Sequence, residues 1–92
     1  MKTVPPPRAE ISAPKVRLPE GACDSHCHVF GPAEKFPFSA NRRYTPPDAP
    51  AAKLFALHAK LSVSRAVLVQ ASVHGSDNAA MLDAIAQRPD AL

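Results

Sequence analysis

Two histidines separated by a single residue, His26 and His28, are the first residues whose type and spacing could do chemistry. Residues 22–29 are typical of a β-strand, in which alternate side chains point to the same side and their Cα atoms lie about 6.6 Å apart. Both imidazoles could therefore reach one metal ion or one carbonyl oxygen. Asp24 falls on the same predicted face, where its carboxylate could hold a histidine in one tautomer.

The segment after this strand, residues 30–47, is rich in proline and aromatic residues and shows no periodicity. A loop of this length in a compact domain is usually functional or disordered. In α/β folds, the loops at the carboxyl ends of strands form the ligand site. Ser72 and His74 end a second predicted strand at the same edge, where His74 could orient the loop or contact a substrate. An isolated pair of histidines is more often structural than functional. The position of this pair at the same sheet edge as Ser72 and His74 favours a ligand-binding site.

Helix and strand patterns supply the elements that must position these residues. Asp48, just ahead of Pro50, predicts the start of a helix that ends near Val63 and carries an apolar stripe with leucines at spacings of three and four. His58 lies on this helix, away from the loops, and we assign it no chemistry. Residues 65–72 form a continuous apolar run, as expected for a parallel strand covered on both faces.

A second helix is predicted after the turn that contains His74, with Ser76 or Asp77 as its cap and Pro89 as its stop. The order strand, helix, strand, helix indicates an α/β fold built from parallel strands. Two strands alone are only marginally stable in water, so this architecture is incomplete.

Composition limits the chain to one domain, because 92 residues fall below the usual size of a single domain. Ten of the eleven prolines lie at or before Pro50, so residues 1–20 are predicted to be an extended arm and residues 21–92 the domain. Cys23 and Cys27 are too far apart along a strand to form a disulfide, and we expect two small buried apolar side chains in a reducing compartment.

Charge gives a weak indication of partners, since 11 Lys and Arg against 8 Asp and Glu leave a net charge of +3. The only adjacent basic pair is Arg42 and Arg43, so nucleic-acid binding is not expected, and the modest positive field suits a small anionic substrate equally well. Nothing in the sequence approaches a membrane span or a secretory signal, so we expect a cytoplasmic protein with no membrane partner.

Three segments in order resemble the N-terminal part of the amidohydrolase-related family, and most closely its 2-pyrone-4,6-dicarboxylate hydrolase branch. They read GACDSHCHVFGP, RRYTPPDAP and VLVQASVHGSDN, within residues 19–92. The resemblance implies the first two βα units of a TIM (β/α)8 barrel and hydrolysis of a cyclic dicarboxylate lactone in the degradation of aromatic compounds. It implies that His26 and His28 polarise the scissile carbonyl and that Tyr44 and Ser72 contact the substrate.

The resemblance leaves the cofactor open, because many relatives hold a zinc-type ion on the two histidines while the pyrone hydrolase branch works without a required metal. A TIM barrel takes about 250 residues, so this chain would be an N-terminal fragment that is inactive alone. The family's further histidine, water-activating aspartate and later arginines have no counterpart before Leu92. The alternatives are a metal-dependent decarboxylase or amide hydrolase of the same superfamily, and a non-catalytic binding module that self-associates through open strand edges.

Overall fold

The strand that carries the histidines pairs in parallel with the strand that follows the first helix. A computed structural model describes residues 2–8 and 10–92 of the chain. Its elements, in chain order, are β1 Lys2–Thr3, β2 Cys23–Cys27, β3 Tyr44–Thr45, α1 Ala51–Leu61, β4 Arg65–Leu68, a 3-10 turn Ser72–His74 and α2 Ala79–Gln87. The predicted α/β order of strand, helix, strand and helix is confirmed in β2, α1, β4 and α2.

The register between β2 and β4 contains an irregularity that the sequence did not reveal. Cys23 lies opposite Arg65 and Asp24 opposite Ala66, but Cys27 lies opposite Leu68. Three steps along β2 therefore match two steps along β4, which is the signature of a β-bulge between Asp24 and Cys27. Because side chains alternate along a strand, one extra residue moves Asp24 to the opposite face from the one predicted.

Helix α1 begins at Ala51 after Pro50 and ends at Leu61, two residues before the predicted end. Asp48 does not cap the helix; its carboxylate accepts the backbone N–H of Ala33 at 3.0 Å and ties the long loop to the helix start. Pro50, and not Asp48, occupies the N-cap position, so the helix begins slightly later than the sequence predicted.

Helix α2 starts where the turn after β4 ends. The carboxylate of Asp77 accepts the N–H of Ala79 at 3.0 Å, so Asp77 rather than Ser76 supplies the predicted acceptor at the helix start. The helix stops at Gln87, two residues ahead of Pro89 as expected. Strand β4 is shorter than predicted: Val69 N–H still donates to the carbonyl of Cys27 at 2.8 Å, but Ser72 already opens a 3-10 turn.

The core lies between β2 and the two helices. Val29 at the end of the histidine strand packs with small alanines of α1 and α2, and fully burying a valine side chain contributes about 1.5–3 kcal/mol. Small residues at these positions let both helices approach the sheet closely. The buried members are Val29, Ala51, Ala80 and Ala84, with Phe36, Leu54, Phe55, Leu68 and Leu92 packed against them.

One face of the two-stranded sheet is open in the part of the chain that the structure describes. Ala66 is buried on the helix side, whereas the neighbouring Val67 is 52% exposed. The prediction that β4 is covered on both faces therefore does not hold within residues 2–8 and 10–92. Across these same residues, no helix combines the length and the apolar character needed to cross a membrane.

The predicted N-terminal arm begins with residues that pair with another segment of the chain. Residues Lys2–Thr3 form a short parallel ladder with Tyr44–Thr45, and Val4 N–H donates to the carbonyl of Thr45 at 3.0 Å. These first residues precede the proline run, so their N–H groups remain available for a ladder. Met1 and Ala9, which also belong to the predicted arm, lie outside the described residues.

Candidate functional site

The two histidines lie side by side at the carboxyl end of β2. Their ring centroids are 5.1 Å apart and the rings meet edge to face, at 87°. His26 is exposed and His28 is partly buried next to the ring of Phe30. The structure thus brings together the pair that the alternation of the strand predicted, and the chemical role of the pair stays a prediction.

A backbone carbonyl of the neighbouring strand determines which nitrogen of His28 is available. Nδ1 of His28 lies 2.8 Å from the carbonyl oxygen of Val69, and only a protonated Nδ1 can donate there. The neutral ring therefore presents a lone pair at Nε2, whereas the protonated ring presents an N–H at the same place. This bond is the support that metal-binding histidines usually have, so Nε2 of His28 has the chemistry of a ligand to a divalent cation.

Asp24 does not share the histidine face, contrary to the sequence prediction. The β-bulge turns its side chain toward α1, where Oδ2 lies 2.9 Å from Nε2 of His58. Its other oxygen, Oδ1, accepts the backbone N–H of His26 at 3.3 Å. The hydrogen bond with His58 is the main cause that lowers the pKa of the Asp24 carboxyl below its usual 3.8.

His58 is the residue that sequence reasoning overlooked. It lies on the apolar stripe of α1, four residues after Leu54 and three before Leu61, and it is only 7% exposed. A titratable side chain on a buried helix stripe needs a polar partner, because burying an unpaired polar group is costly. That position was the signal available in the sequence, and the partner is Asp24.

Asp24, Cys27 and His58 form a compact cluster whose ligand atoms lie within 4.8 Å of one another. Each of the three groups already has a hydrogen-bond partner: His58 bonds to Asp24, and the thiol of Cys27 donates to the carbonyl of Val67 at 3.5 Å. Burial, with the nearby Asp24 carboxylate, raises the pKa of this thiol to about 11. In this structure the three residues form a hydrogen-bonded set.

The two cysteines differ in burial, which corrects the expectation that both are buried. Cys27 is buried and Cys23 is exposed, and both are free. We expect a thiol reagent at pH 8 to modify Cys23 well before Cys27, because the buried thiol holds its proton up to about pH 11. Mass spectrometry of the labelled chain would measure the order, with Cys23→Ser and Cys27→Ser as matched controls. Equal labelling rates in the two single variants would contradict this prediction.

His74, the last residue of the 3-10 turn, holds the long loop of residues 30–47. The ring is 5% exposed, its Nε2 accepts the N–H of Gly31 at 3.2 Å, and its Nδ1 donates to the carbonyl of Pro37 at 3.2 Å. The ring of Phe38 lies 5.1 Å away. Both nitrogens are thus engaged by the loop backbone, which matches the predicted role in orienting the loop; contact with a substrate stays a prediction.

The other predicted substrate residues lie on separate elements. Tyr44 is in β3, beside the N-terminal arm, and Ser72 is exposed at the start of the 3-10 turn. In the described part of the chain, no hydrogen bond joins either side chain to His26 or His28. Arg42 braces the loop by donating to Thr45 Oγ1 at 3.0 Å and to the carbonyl of Ser39 at 2.9 Å.

Two clefts in the surface of the described residues lie away from the histidine pair. One, of about 240 Å³, is lined by residues of α1, the start of β4 and the chain end, including His58, Arg65 and Arg88. The other, of about 610 Å³, lies between the N-terminal arm and α1. Neither cleft is lined by His26 or His28.

The chain is similar in sequence to a known family and to several of its characterised members. The family model described as amidohydrolase matches residues 23–92. A 2-pyrone-4,6-dicarboxylate hydrolase of Comamonas testosteroni is 55% identical over 76 residues, which are 83% of this chain and 25% of that protein. A 4-sulfomuconolactone hydrolase of Rhizobium radiobacter is 44% identical over 85 residues, covering 89% of this chain and 28% of that protein.

A solved structure shows the same backbone arrangement. It is the crystal structure of a probable 2-pyrone-4,6-dicarboxylic acid hydrolase from Acinetobacter baumannii with citric acid bound, and it matches with a TM-score of 0.71 at 34% identity. The match covers 78% of this chain and 27% of that one. The chain therefore spans about a quarter of the length of the relatives it matches.

Proposed function

Because the chain belongs to the amidohydrolase family, we propose that it forms the first two βα units of a TIM barrel that hydrolyses an anionic cyclic lactone. The relatives reported above are named as hydrolases of 2-pyrone-4,6-dicarboxylate and of 4-sulfomuconolactone. The parallel pair β2 and β4, with α1 between them, supports the barrel assignment. So does the exposed Val67, since further strands of a barrel would cover that face.

The observation that carries the proposal is the close pairing of His26 and His28 at the carboxyl end of β2. In lactone hydrolysis, water adds to the ring carbonyl carbon, the acyl C–O bond of the ring breaks, and the ring oxygen leaves with a proton. Negative charge collects on the carbonyl oxygen during the addition, and a preorganised donor there contributes about 3–4 kcal/mol. Two imidazoles projecting from one strand end are placed to meet that charge.

His28 can act at this oxygen in its protonated form, because Nδ1 is already committed to Val69 and only Nε2 remains to donate. In its neutral form, Nε2 of His28 would instead hold a divalent cation together with His26, and such an ion supplies Lewis-acid polarisation of a carbonyl. The resemblance places the base that activates water beyond the quarter of the barrel that this chain matches.

Recognition of an anionic substrate falls to the first loop and the turn after β4. Arg42 is held in place by two hydrogen bonds to the loop, whereas Arg43 is exposed and available to pair with a carboxylate or sulfonate. Tyr44 follows directly in β3, and Ser72 is exposed at the turn. We assign Arg43, Tyr44 and Ser72 to substrate binding. His74 fixes the loop that leads to Arg43 and Tyr44.

A chimera tests the proposal. Residues 1–92 replace the matching N-terminal quarter of the Comamonas testosteroni relative, to which the chain is 55% identical. We expect the purified chimera to hydrolyse 2-pyrone-4,6-dicarboxylate, and the loss of the pyrone absorbance measures the reaction. A parallel assay with 4-sulfomuconolactone separates the two lactone classes. A folded chimera that hydrolyses neither lactone would refute the assignment.

A further inference from the structure

The catalytic pair of the proposed function is linked to helix α1 through a single carboxylate. Oδ1 of Asp24 accepts the backbone N–H of His26 at 3.3 Å, and Oδ2 lies 2.9 Å from Nε2 of His58. Asp24 and His58 are 34 residues apart in the sequence. One side chain thus connects the backbone of a histidine proposed for catalysis to a buried residue of the outer helix.

The link lies at the one place where the strand departs from regular pairing. A bulge leaves a residue of its strand outside the ladder, so the backbone N–H groups there need another acceptor. The bulge lies between Asp24 and Cys27, and the carboxylate of Asp24 supplies an acceptor to His26 within it. The same bulge separates Asp24 and Cys27, on the helix side, from the paired rings of His26 and His28.

His58 holds that carboxylate from a rigid position. Its side chain is 9% exposed, while that of Asp24 is 31% exposed, so the helix residue is the more tightly held partner. A hydrogen bond to an ionised carboxylate is about twice as strong as one between neutral groups. Rotation of the Asp24 side chain would break its bond to His58, and the bulge would lose its acceptor.

We propose that His58 and Asp24 are positioning residues: α1, through the His58 ring and the Asp24 carboxylate, stabilises the bulge that contains His26 and so fixes how its ring lies against that of His28. This inference rests on the proposed role of His26 and His28 in hydrolysis. The rival explanation is a staple that only docks α1 onto the sheet. A staple would change stability and leave the geometry of the histidine pair unaltered.

The experiment compares two substitutions of His58 in the isotopically labelled 92-residue chain by NMR. His58→Gln keeps a donor near the position of Nε2, and His58→Leu removes it while keeping an apolar side chain of similar size. In His58→Leu we expect the amide of His26 to exchange about tenfold faster relative to the amides of α1, and the cross-peak between the two histidine rings to weaken. In His58→Gln we expect both to stay close to those of the unsubstituted chain.

A second pair of variants decides the matter if His58→Leu does not fold. Asp24→Asn keeps an oxygen for the N–H of His26 and an amide that can donate to His58, and Asp24→Ala removes both. Loss of the ring cross-peak in Asp24→Ala, with retention in Asp24→Asn, supports the proposal. An intact cross-peak in a folded His58→Leu or Asp24→Ala chain, with amide exchange in α1 altered, would show the staple instead and overturn it.

These readings are taken without substrate, so they separate the two proposals. If the chimera hydrolyses neither lactone, a positive NMR result would still show that His58 and Asp24 position His26, although the proposed function would be rejected. An active chimera with a histidine pair indifferent to His58 and Asp24 would retain the function and reject the positioning role.

Discussion

Replacing His28 with asparagine in the chimera is expected to lower kcat by about 10²–10³-fold, the usual loss when one donor to a developing oxyanion is removed. The asparagine amide can still donate to the carbonyl of Val69, which Nδ1 of His28 reaches at 2.8 Å. The supporting bond to Val69 is therefore kept, and only the ring nitrogen Nε2 is lost. Steady-state kinetics on 2-pyrone-4,6-dicarboxylate would measure the effect as a fall in kcat rather than a rise in KM.

The matched control for this variant is Lys53→Gln, since Lys53 is exposed on α1 and has no part in the proposed site. The control should keep the turnover of the unsubstituted chimera. His26→Asn is the companion variant, and its exposed ring, 5.1 Å from that of His28, should also prove necessary. A folded His28→Asn chimera with unchanged kcat would exclude His28 from the reaction.

Replacing His74 with leucine is expected to lower the free energy of unfolding of the chain by about 1–3 kcal/mol, the cost of leaving buried polar groups unpaired. The leucine would fill most of the space of the ring but could neither accept the N–H of Gly31 nor donate to the carbonyl of Pro37. Both of those groups belong to the long loop, so its attachment to the turn would weaken. Urea denaturation followed by circular dichroism would measure the difference.

His74→Gln separates hydrogen bonding from shape in the same measurement, because glutamine carries one acceptor and one donor. It should lose less stability than His74→Leu if the two loop bonds are the cause. An equal loss in the two variants would attribute the effect to the packing of the ring against Phe38, which lies 5.1 Å away.

The order of the elements and the pairing of the histidines could be predicted from the sequence because both depend on local periodicity. Leucines at spacings of three and four predicted α1, and a continuous apolar run predicted β4. Alternation along β2 placed His26 and His28 on one side, and their rings do lie together. A short stretch of chain contains all the information that these patterns need.

The partners of the polar side chains could not be predicted, because they come from distant parts of the chain. His58 meets Asp24 across 34 residues, and His74 meets Gly31 across 43. The bulge in β2 shows why: it follows from the register against β4, and register is a property of two strands rather than one. An error of one residue reversed the side on which Asp24 was expected.

The sequence by itself thus determined that His26 and His28 lie on one side of a strand, the α/β order that presents them and a family resemblance that the comparisons bear out. The tertiary structure alone decided what each polar group touches: a carbonyl of Val69 behind His28, a carboxylate behind His58 and two loop groups around His74. The physical reason is that hydrophobic periodicity is written along the chain, whereas a hydrogen bond exists only once folding has brought its donor and acceptor within about 3 Å of each other.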